Sequence, residues 1–142
     1  MHNRTWTGPA VLAAMIAVTG SGVCRANPPT EALSNVSFES GTGSAPSGWA
    51  AHVWSGKAAF SWAQAGRTGG RSVRIASAEG GDASWRFTAK VLPDSVYRLS
   101  GWIRTDGVKA STGRGAQLNV HQISGARTPA VIGTADWRKV TC

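Results

Sequence analysis

The stretch VYRLSGWIRTDG, residues 96–107, has the alternation of a β-strand with one face in a core. From Tyr97 to Ile103 the odd-numbered positions carry an apolar side chain or glycine, and the even-numbered positions are mostly polar. Trp102 falls on the polar face, beside Arg104. An indole in that position predicts either a surface that binds a ligand or a ring that a loop covers.

The rest of the chain repeats this pattern. Runs rich in β-branched and aromatic residues recur at spacings of roughly ten residues, between turns rich in Gly, Pro, Asp and Ser. Helical spacing is absent after the first segment, and 18 glycines disfavour long helices. The sequence predicts an all-β domain, a two-sheet antiparallel β-sandwich or jelly roll, with a closed barrel as the weaker alternative. The predicted strands are 35–39, 49–54, 58–64, 72–77, 83–91, 96–105, 116–123, 130–133 and 137 onward.

Alternation within these strands also assigns their faces. The inward sets are expected to form the core, and Trp49, Trp85 and Trp137 are expected to fill it because each lies in or beside an apolar alternation. Ser84, Arg86, Asn119 and other polar residues face outward. The predicted inward residues of three strands are Val73, Ile75, Trp85, Phe87, Ala89, Val91, Leu118 and Val120.

Residues 1–26 have the layout of a secretory signal peptide. Arg4 precedes an apolar run from 10 to 18, and small residues lead to a cleavage position after Ala26. Lipid attachment at Cys24 and a retained membrane anchor are the alternatives. Residues 27–34 are interpreted as a Pro-containing spacer, and 35–142 as one domain. We therefore expect a secreted, periplasmic or cell-surface protein that is not stably inserted in a membrane after cleavage.

Charge and catalytic motifs exclude several functions. The chain has a formal net charge of +8, and its basic residues are scattered singly along the predicted strands, which disfavours a nucleic-acid interface. The seven carboxylates lie mostly in predicted turns, so no pair is placed in one cleft. A nucleophile elbow, a phosphate loop and a zinc motif are all absent. The sequence predicts that this segment is not an enzyme.

A sugar platform is the specific hypothesis for the polar sheet face. An indole among amide, imidazole and guanidinium groups matches a pyranose, which offers C–H bonds to stack and hydroxyls to hydrogen-bond. The alternatives are a loop over Trp102, with Arg104 stacked on it as a cation–π pair, and an ordinary solvated face. The candidate binding residues are Trp102, Arg104, Gln117, Asn119 and His121, with Trp54 at one edge.

Five segments carry a family resemblance: LSNVSFESGTGSAPSGWAAH, GGRSVRIAS, SWRFTAKVLPDSVYRLSGWIRTDGV, GAQLNVH and GTADWRKVT. In order and spacing this set resembles carbohydrate-binding modules of families 4, 9 and 22, which are galactose-binding-domain-like jelly rolls often appended to secreted bacterial glycosidases. The resemblance covers residues 35–142. It implies a concave sheet face that binds a polysaccharide, and the positions that fall on such a face are Trp102, Arg104, Gln117, Asn119 and His121.

The resemblance also implies a structural calcium ion near the first strand, held by Glu39 and the carbonyl of Gly41. Family members usually close with one more strand, whose aspartate helps to hold the ion. The chain stops at Cys142 within a predicted strand, so we expect a fragment of a longer protein whose final strand is missing.

Two functions follow as expectations. The first is non-catalytic polysaccharide binding by a secreted monomeric module that targets an attached catalytic domain to glycan. The alternative is a structural or protein-interaction β-sandwich, a spacer of an exported bacterial protein.

Overall fold

The structure is a computed structural model that describes residues 32–110 and 113–142. The predicted signal segment and residues 27–31 of the predicted spacer lie outside this range. The described residues form β-strands and no helix, as the Gly-rich, alternating sequence predicts. The strands are β1 (Gly41–Thr42), β2 (Ala45–Pro46), β3 (Ala50–Gly56), β4 (Ala59–Ala63), β5 (Ser72–Ala76), β6 (Gly81–Arg86), β7 (Ser100–Val108) and β8 (Gly133–Thr141).

The strands pair as four antiparallel two-stranded sheets: β1–β2, β3–β6, β4–β5 and β7–β8. The largest is β7–β8, where mutual backbone hydrogen bonds of 3.0 and 2.9 Å between Leu99 and Cys142 extend the pairing by one residue pair. Residues 100–107 of the opening stretch therefore lie in an antiparallel sheet, with Ile103 buried and Arg104 exposed, while 96–99 precede the strand. The all-β prediction is confirmed for the described residues.

The predicted strand at 35–39 is wrong. Asn35 and Phe38 have positive φ angles of 52° and 63°, and the Asn35 side-chain amide donates to the carbonyls of Ser40 (2.7 Å) and Ser47 (3.1 Å). Such local hydrogen bonds compete with sheet pairing. The segment is a tight coil that carries Phe38, only 1% exposed, into the core.

Several other predicted strands differ from the structure: the strand predicted at 83–91 ends at Arg86, and the one predicted at 96–105 begins at Ser100. Residues 116–123 make only the isolated bridges Ala116↔Val131 and Asn119↔Arg127, because the chain turns at 121–122 and again at 124–125. The predicted gap between 133 and 137 is instead spanned by β8, whose pairing with β7 shifts register between Ile103 and Thr105. The sequence pattern suggests that the strand is interrupted here, but the structure has a β-bulge within continuous pairing.

One cluster of large side chains forms the core. Aromatic contacts tie it together: Phe38 and Trp49 have ring centroids 4.8 Å apart, and Phe60 meets Trp85 edge-on at 5.5 Å. The alternation argument is confirmed for Val73, Trp85, Ile103 and Leu118, among others. The buried members of the core are Phe38, Trp49, Val73, Trp85, Ile103, Leu118, Val131 and Val140.

The alternation argument is wrong for Val91 and Val120, whose side chains are 59% and 42% exposed. Residues 87–99 belong to no strand, so nothing imposes a two-residue period there. Trp137 is half-buried on β8 and is not a member of the core cluster. Within 32–110 and 113–142, there is no helix of the length and apolarity that a membrane crossing requires.

Candidate functional site

Trp54 lies at an irregularity of the β3–β6 sheet that turns its ring to the surface. Val53 pairs with Ala83 and Ser55 pairs with the adjacent Asp82, so Trp54 is the extra residue of a β-bulge. Bulges re-aim side chains and occur often beside functional sites. The Trp54 side chain is 42% exposed, and it is the one exposed aromatic side chain among the Trp, Tyr and Phe residues that the structure describes.

Four polar side chains surround the Trp54 ring. His121 stacks on it with centroids 4.5 Å apart and an interplanar angle of 24°, while His52 meets it edge-on at 4.2 Å. The Arg86 guanidinium lies 5.6 Å from the ring centroid. The indole Nε1–H donates to the Ser84 hydroxyl at 3.4 Å. We call Trp54, His52, Ser84, Arg86 and His121 the Trp54 surface.

The sheet register explains this grouping. His52 pairs directly with Ser84 and Ala50 with Arg86, so these side chains share one face of the β3–β6 sheet. Trp85 points to the opposite face and enters the core, where its Nε1–H donates to the Arg74 carbonyl at 3.2 Å. The same two strands therefore carry one tryptophan inward and one outward.

An open depression lies along the 117–127 loop, which delivers His121 to Trp54. Its volume is about 310 Å³, and Gln117, Asn119 and Arg127 contribute polar groups to its lining. Gln122 adopts a positive φ of 65° at the loop turn. The structure thus joins Trp54 to His121, while Gln117 and Asn119 line the depression on the loop that carries His121.

Trp102 has different neighbours. It is half-buried on β7 opposite Lys139 of β8, and the Arg67 guanidinium stacks over its ring at 3.9 Å from the centroid. Arg67 belongs to the loop between β4 and β5, so a loop residue covers the indole. The sequence analysis considered Arg104 as the residue that stacks on Trp102, whereas the structure has Arg67 in that position.

Arg104 is directed elsewhere. Its Nε lies 3.9 Å from Asp136 Oδ1 in an exposed ion pair, which contributes little to stability. Among the described residues, no hydrogen bond, ring stacking or ion pair joins Trp102 or Arg104 to the Trp54 surface. The six predicted binding residues therefore divide between two regions.

Glu39 is held against a glycine-containing loop. Its Oε1 accepts the Arg71 backbone N–H at 3.2 Å, and a side chain at Gly69 would collide with this carboxylate. Gly41 begins β1, and a Cβ there would clash with Ala45 and Trp62. The described residues contain no group of three or more His, Cys, Asp and Glu side chains that could hold a metal ion. Calcium at Glu39 would therefore take its other oxygen ligands from backbone carbonyls, side-chain amides or waters.

Sequence reasoning missed His52, Ser84 and Arg86 as members of the site. Alternation marks Ser84 and Arg86 as outward-facing, but only the observed pairing of β3 with β6 places them beside Trp54. Arg67 was missed because its contact with Trp102 spans 35 positions and has no local signal.

Comparison with protein-family models, curated proteins and solved structures gave no match.

Proposed function

We propose that this chain is a non-catalytic carbohydrate-binding domain and that the Trp54 surface is its sugar platform. The observation that carries the proposal is the exposed Trp54 ring at the bulge, with His52, His121 and Ser84 in contact with it. A pyranose can stack its C–H face on the indole, while Ser84, His52 and His121 contact its hydroxyls. His121 also braces the ring from one side, which reduces the side-chain entropy lost on binding.

The depression along the 117–127 loop is the proposed extension of this platform, because the same loop carries His121 to Trp54. Gln117 and Asn119 line it, and their amides can both donate and accept hydrogen bonds. A ligand longer than one sugar can therefore run from Trp54 into the depression. Trp102 and Arg104 lie outside the proposed platform, because the Arg67 guanidinium covers the Trp102 ring and Arg104 pairs with Asp136.

The proposal is tested by affinity electrophoresis in gels containing soluble β-glucan, xylan or other polysaccharides. We expect at least one polymer to retard the protein. Trp54→Ala should weaken that interaction by about 1–3 kcal/mol, by analogy with base stacking on aromatic rings. Trp102→Ala is the matched control, since its ring is covered. Unchanged mobility of the wild-type protein in every gel would contradict the proposal.

The alternative function is a structural or protein-interaction spacer, and one observation favours it. The Arg67 guanidinium covers the Trp102 ring, and a spacer domain needs no exposed sugar-binding face at that position. Acrylamide quenching of single-tryptophan variants distinguishes the two functions. A readily quenched Trp54 supports the sugar platform, and equal protection of Trp54 and Trp102 supports the spacer.

The finer fold and cellular role belong to the same proposal. We propose a galactose-binding-domain-like jelly roll, of the kind that the family resemblance implies, on an exported monomer. Its role would be to keep an attached catalytic domain at an insoluble glycan, which raises the effective substrate concentration without a catalytic group in this domain.

We also propose a structural calcium ion at Glu39, with the Gly41 carbonyl as one ligand. The Glu39 carboxylate, which accepts a hydrogen bond from the Arg71 backbone N–H, supplies a hard oxygen donor of the type that calcium prefers. Millimolar calcium should raise the thermal midpoint of the wild-type protein, and Glu39→Gln should remove the increase. An equal shift in both proteins would rule out this site.

A further inference from the structure

Arg86 supplies the Trp54 surface with an available positive charge. Among the described residues the ion pairs are Lys57–Glu79 and Arg104–Asp136, so no carboxylate is paired with Arg86. A guanidinium has five N–H donors in a planar fork and remains protonated across the usual pH range. At 5.6 Å from the indole centroid, the Arg86 guanidinium can contact a ligand that stacks on the ring.

The neighbouring loop adds positive charge without acidic residues. Positions 107–135 contain no Asp or Glu, and this segment supplies His121 to the ring and Arg127 to the depression. The closest acidic residue along β6 is Asp82, two residues from Ser84 and therefore on the same face. The Trp54 surface thus has the Arg86 guanidinium beside the ring and one carboxylate, Asp82, further along the same face of β6.

We infer that the Trp54 surface selects acidic saccharides, in which a pyranose carries a carboxylate, as in polymers of uronic acids. This inference rests on the proposed function and specifies its ligand class. The sugar ring stacks on Trp54, and its carboxylate accepts charge-assisted hydrogen bonds from the Arg86 guanidinium. A neutral sugar gains the stacking but leaves this cation without an anionic partner.

A single exposed ring favours a saccharide over a nucleic acid. Single-stranded nucleic acids bind along grooves where successive bases stack on several aromatic side chains. Trp54 is the one exposed Trp, Tyr or Phe side chain in the described part of the chain. Single-stranded DNA therefore serves as a control polyanion in the test.

The experiment compares polygalacturonate with its fully methyl-esterified form, because the two share a sugar backbone and differ in charge. Titration calorimetry with the purified protein should give at least tenfold tighter binding to the acid form at low salt, and added salt should reduce the preference. Trp54→Ala should weaken binding to both forms about five- to 150-fold. Single-stranded DNA should bind more weakly than polygalacturonate and should be insensitive to Trp54→Ala.

Two charge variants test the direction of the effect. Arg86→Gln should lower affinity for the acid form about five- to tenfold and leave the ester unchanged. Asp82→Asn should raise affinity for the acid form about two- to threefold. Arg138→Gln removes the same charge from the β7–β8 sheet and should leave the affinities for the acid form and the ester unchanged. Equal thermal midpoints establish that the variants are folded.

The outcomes separate this inference from the proposed function. Trp54-dependent binding of the ester or of a neutral glucan, with no preference for the acid form, overturns the inference and leaves the sugar platform intact. Binding of polygalacturonate and DNA alike, independent of Trp54 and equally weakened by Arg138→Gln, overturns it in favour of a general basic surface. Failure to bind any saccharide overturns both.

Discussion

Trp54 and Trp102 are both outward-facing tryptophans with a cation nearby, yet their surroundings differ. Trp102 lies within the β7–β8 ladder, half-buried, with the Arg67 guanidinium 3.9 Å from its ring centroid. Trp54 is the extra residue of a bulge and remains 42% exposed. Regular pairing leaves a large ring close to the sheet, where a neighbouring loop can cover it. A bulge lifts the ring away from its strand and keeps it accessible.

The largest expected difference in the free energy of unfolding is between a tryptophan variant on the inner face of the β3–β6 sheet and one on its outer face. Trp85→Ala removes a buried ring that contacts Phe60 and the Arg74 carbonyl, and it should reduce the free energy of unfolding by about 3–5 kcal/mol. Trp54→Ala on the outer face should reduce it by less than about 1 kcal/mol. Urea denaturation measures both. Similar losses for the two variants would show that Trp54 is structural.

His121 tests whether the 117–127 loop is part of the Trp54 surface. His121→Ala removes the ring stacked at 4.5 Å and should weaken binding of a retarding polysaccharide by about 0.5–1.5 kcal/mol. The control is Val96→Ala, which removes an exposed side chain outside the 117–127 loop. Equal binding by His121→Ala and the wild-type protein would separate the loop from the site.

Arg67 tests the covering of Trp102. Arg67→Ala should cost about 0.5–1 kcal/mol of folding free energy, as expected for an exposed cation–π contact. It should also increase acrylamide quenching of Trp102, measured in a variant where Trp54 is replaced by Phe. Stronger polysaccharide binding by Arg67→Ala would identify Trp102 as a second platform, whereas unchanged quenching would show that Arg67 does not shield the ring.

The smallest effect is expected at Arg104. Its ion pair with Asp136 is 3.9 Å long and exposed, so Arg104→Gln should change the free energy of unfolding by less than about 0.5 kcal/mol. Polysaccharide binding should also be unchanged if the Trp54 surface is the site. A large loss of binding would instead place the site on the β7–β8 sheet.

The sequence predicted the parts of the fold that depend on a two-residue period. Alternation identified Ile103, Val73 and Trp85 as buried and Trp102 as outward-facing. It failed at 35–39, where the Asn35 side chain replaces sheet hydrogen bonds, because a side-chain cap leaves the apolar pattern unchanged. Local turn chemistry overrode the strand pattern there.

The candidate site was predictable only in part. Trp54, His121, Gln117 and Asn119 were all candidates, because their residue types suit sugar binding. Their grouping depends on the bulge at Trp54 and on a loop that crosses between sheets, and neither has a signature in a single sequence. Long-range pairing therefore decided which indole is accessible.

The most direct test of the account follows the indole N–H signals of the protein by NMR during titration with an oligosaccharide from a polymer that retards it. Trp→Phe variants assign each signal. The account predicts that the Trp54 indole signal shifts most, in proportion to saturation, while those of Trp102 and the buried Trp85 stay in place. A shift confined to Trp102, with Trp54 unaffected, would contradict it.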